Sequence, residues 1–133
     1  MKYLCLGYHD ENLWQAMPDS ERNALMEESF AYADHLKANG HIIDDHALQS
    51  VATAATLRFA KGKGKVSVTD GPFAETKEQL GGLMILEAND LNHAIQLMSK
   101  MPCMSMGGSI EIRAINEAIK FQTEAAAAGQ AAT

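Results

Sequence analysis

The chain has only two cysteines in 133 residues, Cys5 and Cys103. Two are too few for a disulfide framework, and their separation matches no metal-ligand spacing, which suits a reducing cytoplasm. Positive charge is also scarce, with eleven lysines and arginines against seventeen aspartates and glutamates and a net charge of −6. A surface of that sign repels phosphates, so no nucleic-acid partner is expected. No apolar run approaches the roughly 20 residues that a membrane-crossing helix needs. The opening Met1-Lys2-Tyr3-Leu4 meets charged and amide residues by position 10, too early for the apolar core of a secretion signal. No membrane partner is expected either. What the chain does have is 47% hydrophobic residues, enough for one core in one cytoplasmic domain without covalent staples. There is no internal repeat and no sign of a second domain.

The richest stretch runs from Val66 to Leu83. Val66 and Val68 alternate with Ser67 and Thr69, as in a half-buried strand. Asp70-Gly71-Pro72 then ends that strand, because Asp bonds nearby backbone N–H groups, Gly tolerates unusual φ and Pro presets φ. Pro72 is placed to open a short helical turn through Lys77-Glu78-Gln79-Leu80, which Gly81 or Gly82 would close. Leu83-Met84-Ile85-Leu86 follows as a buried strand.

Around this stretch the elements fall in order. Tyr3-Leu4-Cys5-Leu6 begins the first strand, and residues from His9 to Met17 read as a loop or short helix. Pro18-Asp19-Ser20-Glu21 starts a helix, with Ser20 or Asp19 as cap, that runs to the stop at Asn39-Gly40. Its apolar stripe is Leu25, Ser29, Ala33 and Leu36, flanked by Met26, Phe30 and Tyr32. Ile42 and Ile43 resume extended chain. A strand over 51–59 meets the strand at Val66 through the turn Lys61-Gly-Lys-Gly-Lys65, whose lysines keep the tip solvated. That turn lacks the spacing of a phosphate-binding loop. Asn89-Asp90 caps a second helix with Leu91, Ala94, Ile95 and Met98 at core spacing, and Pro102 stops it. Ser109 to Ile115 alternates as the last strand. The tail over 116–133 reads as a helical extension with a fraying Ala-rich end.

Two strand–helix–strand halves with an inserted β-hairpin give an α+β fold, an antiparallel sheet with both helices on one face. The other sheet face is expected to show Thr, Ala, Tyr and Val. Such a face calls for a second subunit, so a homodimer is expected.

The segment Asp70-Gly-Pro-Phe-Ala-Glu-Thr-Lys-Glu-Gln-Leu-Gly-Gly82 closely resembles the signature of the YCII-related (DGPF-domain) family of small bacterial proteins. Met1 to Leu6 resembles that family's opening strand, Ala47-Leu-Gln49 its middle, and Gly108 to Arg113 its closing strand. The resemblance covers residues 1–115 and implies a ferredoxin-like α+β fold and a dimer. Some wider relatives are lactone isomerases or dehalogenating enzymes of aromatic breakdown. Wider relatives use a His–Asp pair, but no histidine is read in the first long helix, where that histidine would lie and Ser29 roughly takes its place. Family members often carry Arg-Pro where this chain has Arg113-Ala114, and Gln-Pro where it has Gln49-Ser50. Asp45-His46 replaces what is often a small residue and Glu.

Asp70 is the candidate acid or base, since a carboxylate at a strand end can look into a cleft; alternatively it only caps the turn. Glu75, Lys77 and Glu78 form a mixed charge cluster able to bind a metal or a cationic substrate group, or simply to be a solvated face. Gly81 and Gly82 allow a close approach of backbone to a neighbour or ligand. His46, His41 and His9 lie near strand ends, and His46 is a weaker candidate for proton transfer. Arg113 is a candidate anchor for a carboxylate, or else pairs with Glu111. Trp14 and Phe73 are candidate apolar walls, Trp14 otherwise a surface anchor. A Met-rich loop around Cys103 is able to line an adaptable pocket. No metal site and no cofactor are expected. Two functions fit these residues. One is an acid/base enzyme, isomerase or lyase in type, acting on a small organic acid in a cleft near Asp70. The other is a non-catalytic dimeric binding or regulatory module whose DGPF turn is structural.

Overall fold

A computed structural model describes residues 1–62 and 64–119. The chain runs β1 (Lys2–His9), α1 (Glu11–Ala16), α2 (Asp19–Ala38), β2 (Ile42–Ala47), a 3-10 turn (Val51–Thr53), β3 (Ala55–Phe59), β4 (Val66–Asp70), β5 (Gln79–Glu87), α3 (Leu91–Met98), a second 3-10 turn (Pro102–Met106) and β6 (Ser109–Ala114). Four strands form one sheet in the order β2-β5-β1-β6, with every neighbouring pair antiparallel. Strands β3 and β4 form a separate two-stranded hairpin. The protein is thus α+β with antiparallel sheets, consistent with the ferredoxin-like expectation.

Alternation along β1 divides the sheet into two unlike faces. Tyr3 and Cys5 are buried against Ala33 and Leu36 of α2 and Ala94 and Met98 of α3, with Leu86 of β5 beside them. Tyr32 ties the two helices together by donating its hydroxyl to Leu97 O at 2.6 Å. The opposite face carries Leu4, Leu6 and Tyr8, paired with Ile85, Leu83 and Leu80. That face therefore differs from the Thr, Ala, Tyr and Val expected for it. It is more apolar, and Tyr3 lies in the helix-covered core instead.

Local signals succeeded where a side chain completes the cap. Asp90 accepts from His93 N at 2.8 Å and starts α3 as expected. They failed where another local bond or a long-range partner intervenes. The strand expected over 51–59 is only Ala55–Phe59, because Ser50 accepts from Ala52 N and winds Val51–Thr53 into a 3-10 turn. Helix α2 begins after Pro18 with no side-chain cap, while Asp19 pairs with Arg22 instead. No helical turn forms over 77–80. Gln79 and Leu80 already pair with His9 and Tyr8, and Gly81 and Gly82 lie inside β5 rather than at a helix end. A single helical turn fixes several residues for one hydrogen bond, so an available strand ladder outcompetes it. The tail begins with a turn, Ile119 N donating to Asn116 O, rather than a helix; its remainder, 120–133, lies outside the described residues. Among the described residues no helix is long and apolar enough to cross a membrane.

Candidate small-molecule site

A cavity of about 670 Å³ lies between the helix-covered face of the sheet and the stretch of α2 from Met26 to Lys37. It exists because small residues oppose small residues. Gly7 and Gly82 face each other across β1 and β5, and above the sheet α2 presents Ser29 and Ala33. No side chain there is long enough to fill the space. The helix is anchored nearer its C-terminal end by buried Leu36, while Phe30, at 60% exposed, borders the opening. Six of the eight methionines (Met26, Met84, Met98, Met101, Met104 and Met106) line the cavity, giving it a wall of flexible, polarizable thioethers.

The entrance is assembled from α1 and its contacts. Arg22 donates to Trp14 O and Gln15 O at 3.3 and 3.2 Å, holding the end of α1 against α2. The Glu11 carboxylate accepts from Ser50 Oγ and Val51 N, both at 3.0 Å, and Glu11 N donates to Gln79 Oε1 at 2.9 Å. Trp14 then lines the cavity, edge-on to the His9 imidazole with ring centres 6.2 Å apart. The His9 imidazole makes no hydrogen bond among the described residues. Its ring lies directly over Gly81, where a Cβ would come within 2.2 Å of its Cε1 atom. At Gly82 a Cβ would stand 3.2 Å from the His46 carbonyl oxygen. The paired glycines are close-approach positions: one admits the imidazole, the other the edge strand.

Three polar features complete the lining. Ser29 is 8% exposed, and its Oγ is the only buried side-chain polar atom without a hydrogen-bond partner among the described residues. Lys37 Nζ pairs with Asp45 Oδ1 at 3.0 Å, and that bond raises the Lys37 pKa. Cys5 also borders the cavity, but burial pushes its thiol up to about 11, so it is no ready nucleophile.

The residues singled out from the sequence divide between this cavity, the open sheet face and the separate hairpin with its turn. Trp14, Gly81, Gly82 and His46 border it. The His46 side chain, however, shares the open sheet face with Asp44, and its Nε2 lies 3.1 Å from Asp44 Oδ2. Arg113 is on that same open face, paired with Glu111. Asp70, Phe73, Glu75 and Lys77 are exposed and away from the cavity. Asp70 does not border this cavity and is exposed at the end of β4. The motif's local bonds fasten the hairpin: Gly71 N donates to Ala54 O at 2.7 Å, Thr56 Oγ1 donates to Gly71 O at 2.9 Å, and Arg58 donates to Phe73 O. Gly71 adopts φ of 99°, which explains the glycine. Histidine does occur in α2, at His35, but near its C-terminal end, exposed and 3.2 Å from Asn39 Nδ2.

Ser29, Lys37 and Asp45 were not foreseen as neighbours of a cavity. The one available sign was a serine inside the apolar stripe of α2. Among the described residues no three His, Cys, Asp or Glu side chains gather as a metal site would require.

The YCII-related domain model matches residues 1–119. An uncharacterised protein of Rhizobium meliloti (strain 1021) is 32% identical over 114 residues, spanning 85% of this chain and 90% of that protein. A 5-chloro-2-hydroxyhydroquinone dehydrochlorinase (TftG) from Burkholderia phenoliruptrix AC1100, solved in complex with 2,5-dihydroxybenzoquinone, is similar at 17% identity and a TM-score of 0.49. That match covers 90% of this chain and all of the other; a likeness so distant carries no argument about activity.

Proposed function

This chain belongs to the YCII-related family, and we propose that it is a small-molecule enzyme of isomerase or lyase type acting in the cavity beneath α2. The observation that carries this reading is His9, an imidazole with no protein partner, held edge-on to Trp14 at the wall of an apolar cavity. Imidazole exchanges protons near neutral pH, and most of the exposed lining beside it is apolar. In this reading His9 takes a proton from a bound substrate and returns it, Trp14 positions the substrate, and no cofactor is required. A cavity of this volume suits a small organic molecule.

The lack of a carboxylate to orient His9 favours a second reading, a non-catalytic binding module that uses the same cavity. A His9→Gln variant separates the two. It keeps a polar side chain of similar length but cannot shuttle protons. In the enzyme reading turnover of a cavity ligand falls by about 10²-fold or more, while quenching of Trp14 on binding persists. Equal turnover in both proteins refutes the enzyme reading.

The same proposal includes a cytoplasmic homodimer. The hairpin exposes Phe59 (73%), Val68 (66%) and Leu57 (54%) on one face, and an isolated two-stranded hairpin is marginal in water. The open sheet face of a second copy offers Leu4, Leu6 and Leu83 as a complementary surface. Asp70 lies on the same hairpin face as Val68, so in this arrangement it reaches the partner rather than its own cavity. Sedimentation equilibrium reads the outcome. A dimer that Val68→Asp converts to monomer supports this assembly, and a monomeric wild type refutes it.

A further inference from the structure

Resting on the reading of the cavity as the ligand site, we propose that its ligand carries an unbranched aliphatic tail, which passes Met104 into a second cavity beside α3, Met104 being the movable partition between the two.

The second cavity, a groove of about 270 Å³, is lined by Ile95, Met98, Ser99, Met104, Ile110 and Ile112. It lies on the same helix-covered face of the sheet, between α3 and β6. Its one hydroxyl, on Ser99, already donates to Ile95 O, so the groove offers apolar contact and little else. Met98, Met104 and Ile110 also line the main cavity. The floor is continuous too, because Ile110 pairs with Gly7 across β6 and β1. The two spaces therefore share a wall.

Of the three residues in that wall, one moves cheaply. Met98 is only 3% exposed and is fixed in the core. Ile110 is β-branched and sits in a paired strand, so its rotamers are few. Met104 is half-buried, unbranched and carried on the second 3-10 turn. Its backbone is pinned, Met104 N donating to Met101 O at 3.2 Å and Gly107 N to Met104 O at 3.1 Å, which leaves movement to the side chain. That side chain lies along a slot made by two glycines. A Cβ at Gly108 would come 2.6 Å from Met104 Sδ, and one at Gly7 would come 3.4 Å from Met104 Cε. Rotating Met104 away uncovers a floor with no side chains of its own and joins the cavities. A thin chain of methylenes fits such a passage, whereas a branched group does not. Burying that chain against Ile95, Ile110 and Ile112 favours binding by about fourfold for each methylene.

The test compares two isomers of equal carbon count on the full chain, trans-4-butylcyclohexylmethanol and trans-4-tert-butylcyclohexylmethanol, with cyclohexylmethanol as the tail-free reference. Trp14, the only tryptophan, lines the main cavity and reports binding by its fluorescence. The butyl isomer is expected to bind about tenfold more tightly than the tert-butyl isomer, the scale of two methylenes taken out of water. Backbone amide shifts of the 15N-labelled wild type locate the tail. The butyl isomer is expected to move Ile95, Ser99 and Ile112, and the other two probes to leave them in place. Met104→Ala, its fold checked by circular dichroism, removes the partition and is expected to narrow the difference between the isomers to about threefold or less. Equal affinity of the isomers in wild type overturns the inference while leaving the cavity as a ligand site. Groove amides silent to the butyl isomer, or an isomer difference that Met104→Ala leaves unchanged, do the same. No Trp14 response to any of the three probes overturns the cavity reading, and the inference with it.

Discussion

The two sides of the main sheet carry different kinds of information. On the open face and on the separate hairpin and its turn lie the conspicuous residues: Arg113 on the first, and Asp70, Gly71, Phe73, Glu75 and Lys77 on the second. On the helix side lie Gly7, Gly82, Ser29 and Ala33, which are notable for what their side chains lack. The conspicuous residues fasten a turn, pair with neighbours or face solvent. The inconspicuous ones create a cavity of about 670 Å³. A motif dense in turn chemistry announces a local conformation, whereas empty space is made by small residues brought together over long sequence separations.

If small residues make the site, filling it is the harshest change. Gly82→Val places a Cβ 3.2 Å from the His46 carbonyl, a backbone atom that cannot swing aside, and adds two methyl groups to the helix-facing wall. We expect a loss of about 2 kcal/mol in urea unfolding together with loss of cavity binding. A stability unchanged from wild type breaks the claim that β2 and β5 are closely apposed there. Ser29→Ala acts in the opposite direction. It removes an unpartnered buried hydroxyl and installs a better helix former, so a gain of about 1 kcal/mol is expected in the same assay. A loss of stability means that Ser29 Oγ has a partner after all.

Cys5 gives a pH-dependent contrast on the same side of the sheet. Burial raises its thiol from an ordinary 9.0 to about 11, so the folded state holds the proton more tightly than the unfolded chain. The resulting stability is fully present below pH 9 and is lost as pH rises toward 11. Urea midpoints measured between pH 8 and 11 should fall more steeply in wild type than in Cys5→Ala; parallel slopes deny that Cys5 is buried. The smallest effect is expected on the conspicuous side. Asp70→Asn keeps size and an acceptor oxygen at an exposed strand end, and is expected to change stability by no more than about 0.5 kcal/mol. Cavity binding measured by Trp14 fluorescence should not change at all.

Much of the scaffold was legible from local pattern. The stripe Leu25, Ser29, Ala33 and Leu36 placed α2 on the sheet, the alternation of Tyr3 to Leu6 set β1, and the Lys61 to Lys65 turn placed the hairpin. Asp90 worked as a cap because capping is settled within one turn. The failure at the glycine pair has a long-range cause. Gln79 to Gly82 carries helix-ending cues, yet its conformation is decided by Tyr8 and His9, about seventy residues earlier. Which sheet face becomes the core was likewise hidden, because Tyr3 and Cys5 differ little in pattern from Leu4 and Leu6. The candidate site was the least legible part. Trp14 and the glycine pair were singled out, but a void between Gly7, Gly82 and Ser29 exists only once β1, β5 and α2 have packed.

The central claim is that ligands enter beneath α2 and not at the DGPF turn. Backbone amide chemical shifts of the 15N-labelled chain, recorded as cyclohexylmethanol is added, test it most directly. The account predicts saturable shifts at Gly7, Ser29, Ala33 and Gly82, with Asp70 to Lys77 unmoved. Shifts centred on Asp70, Gly71 and Phe73, with the α2 residues silent, would contradict it.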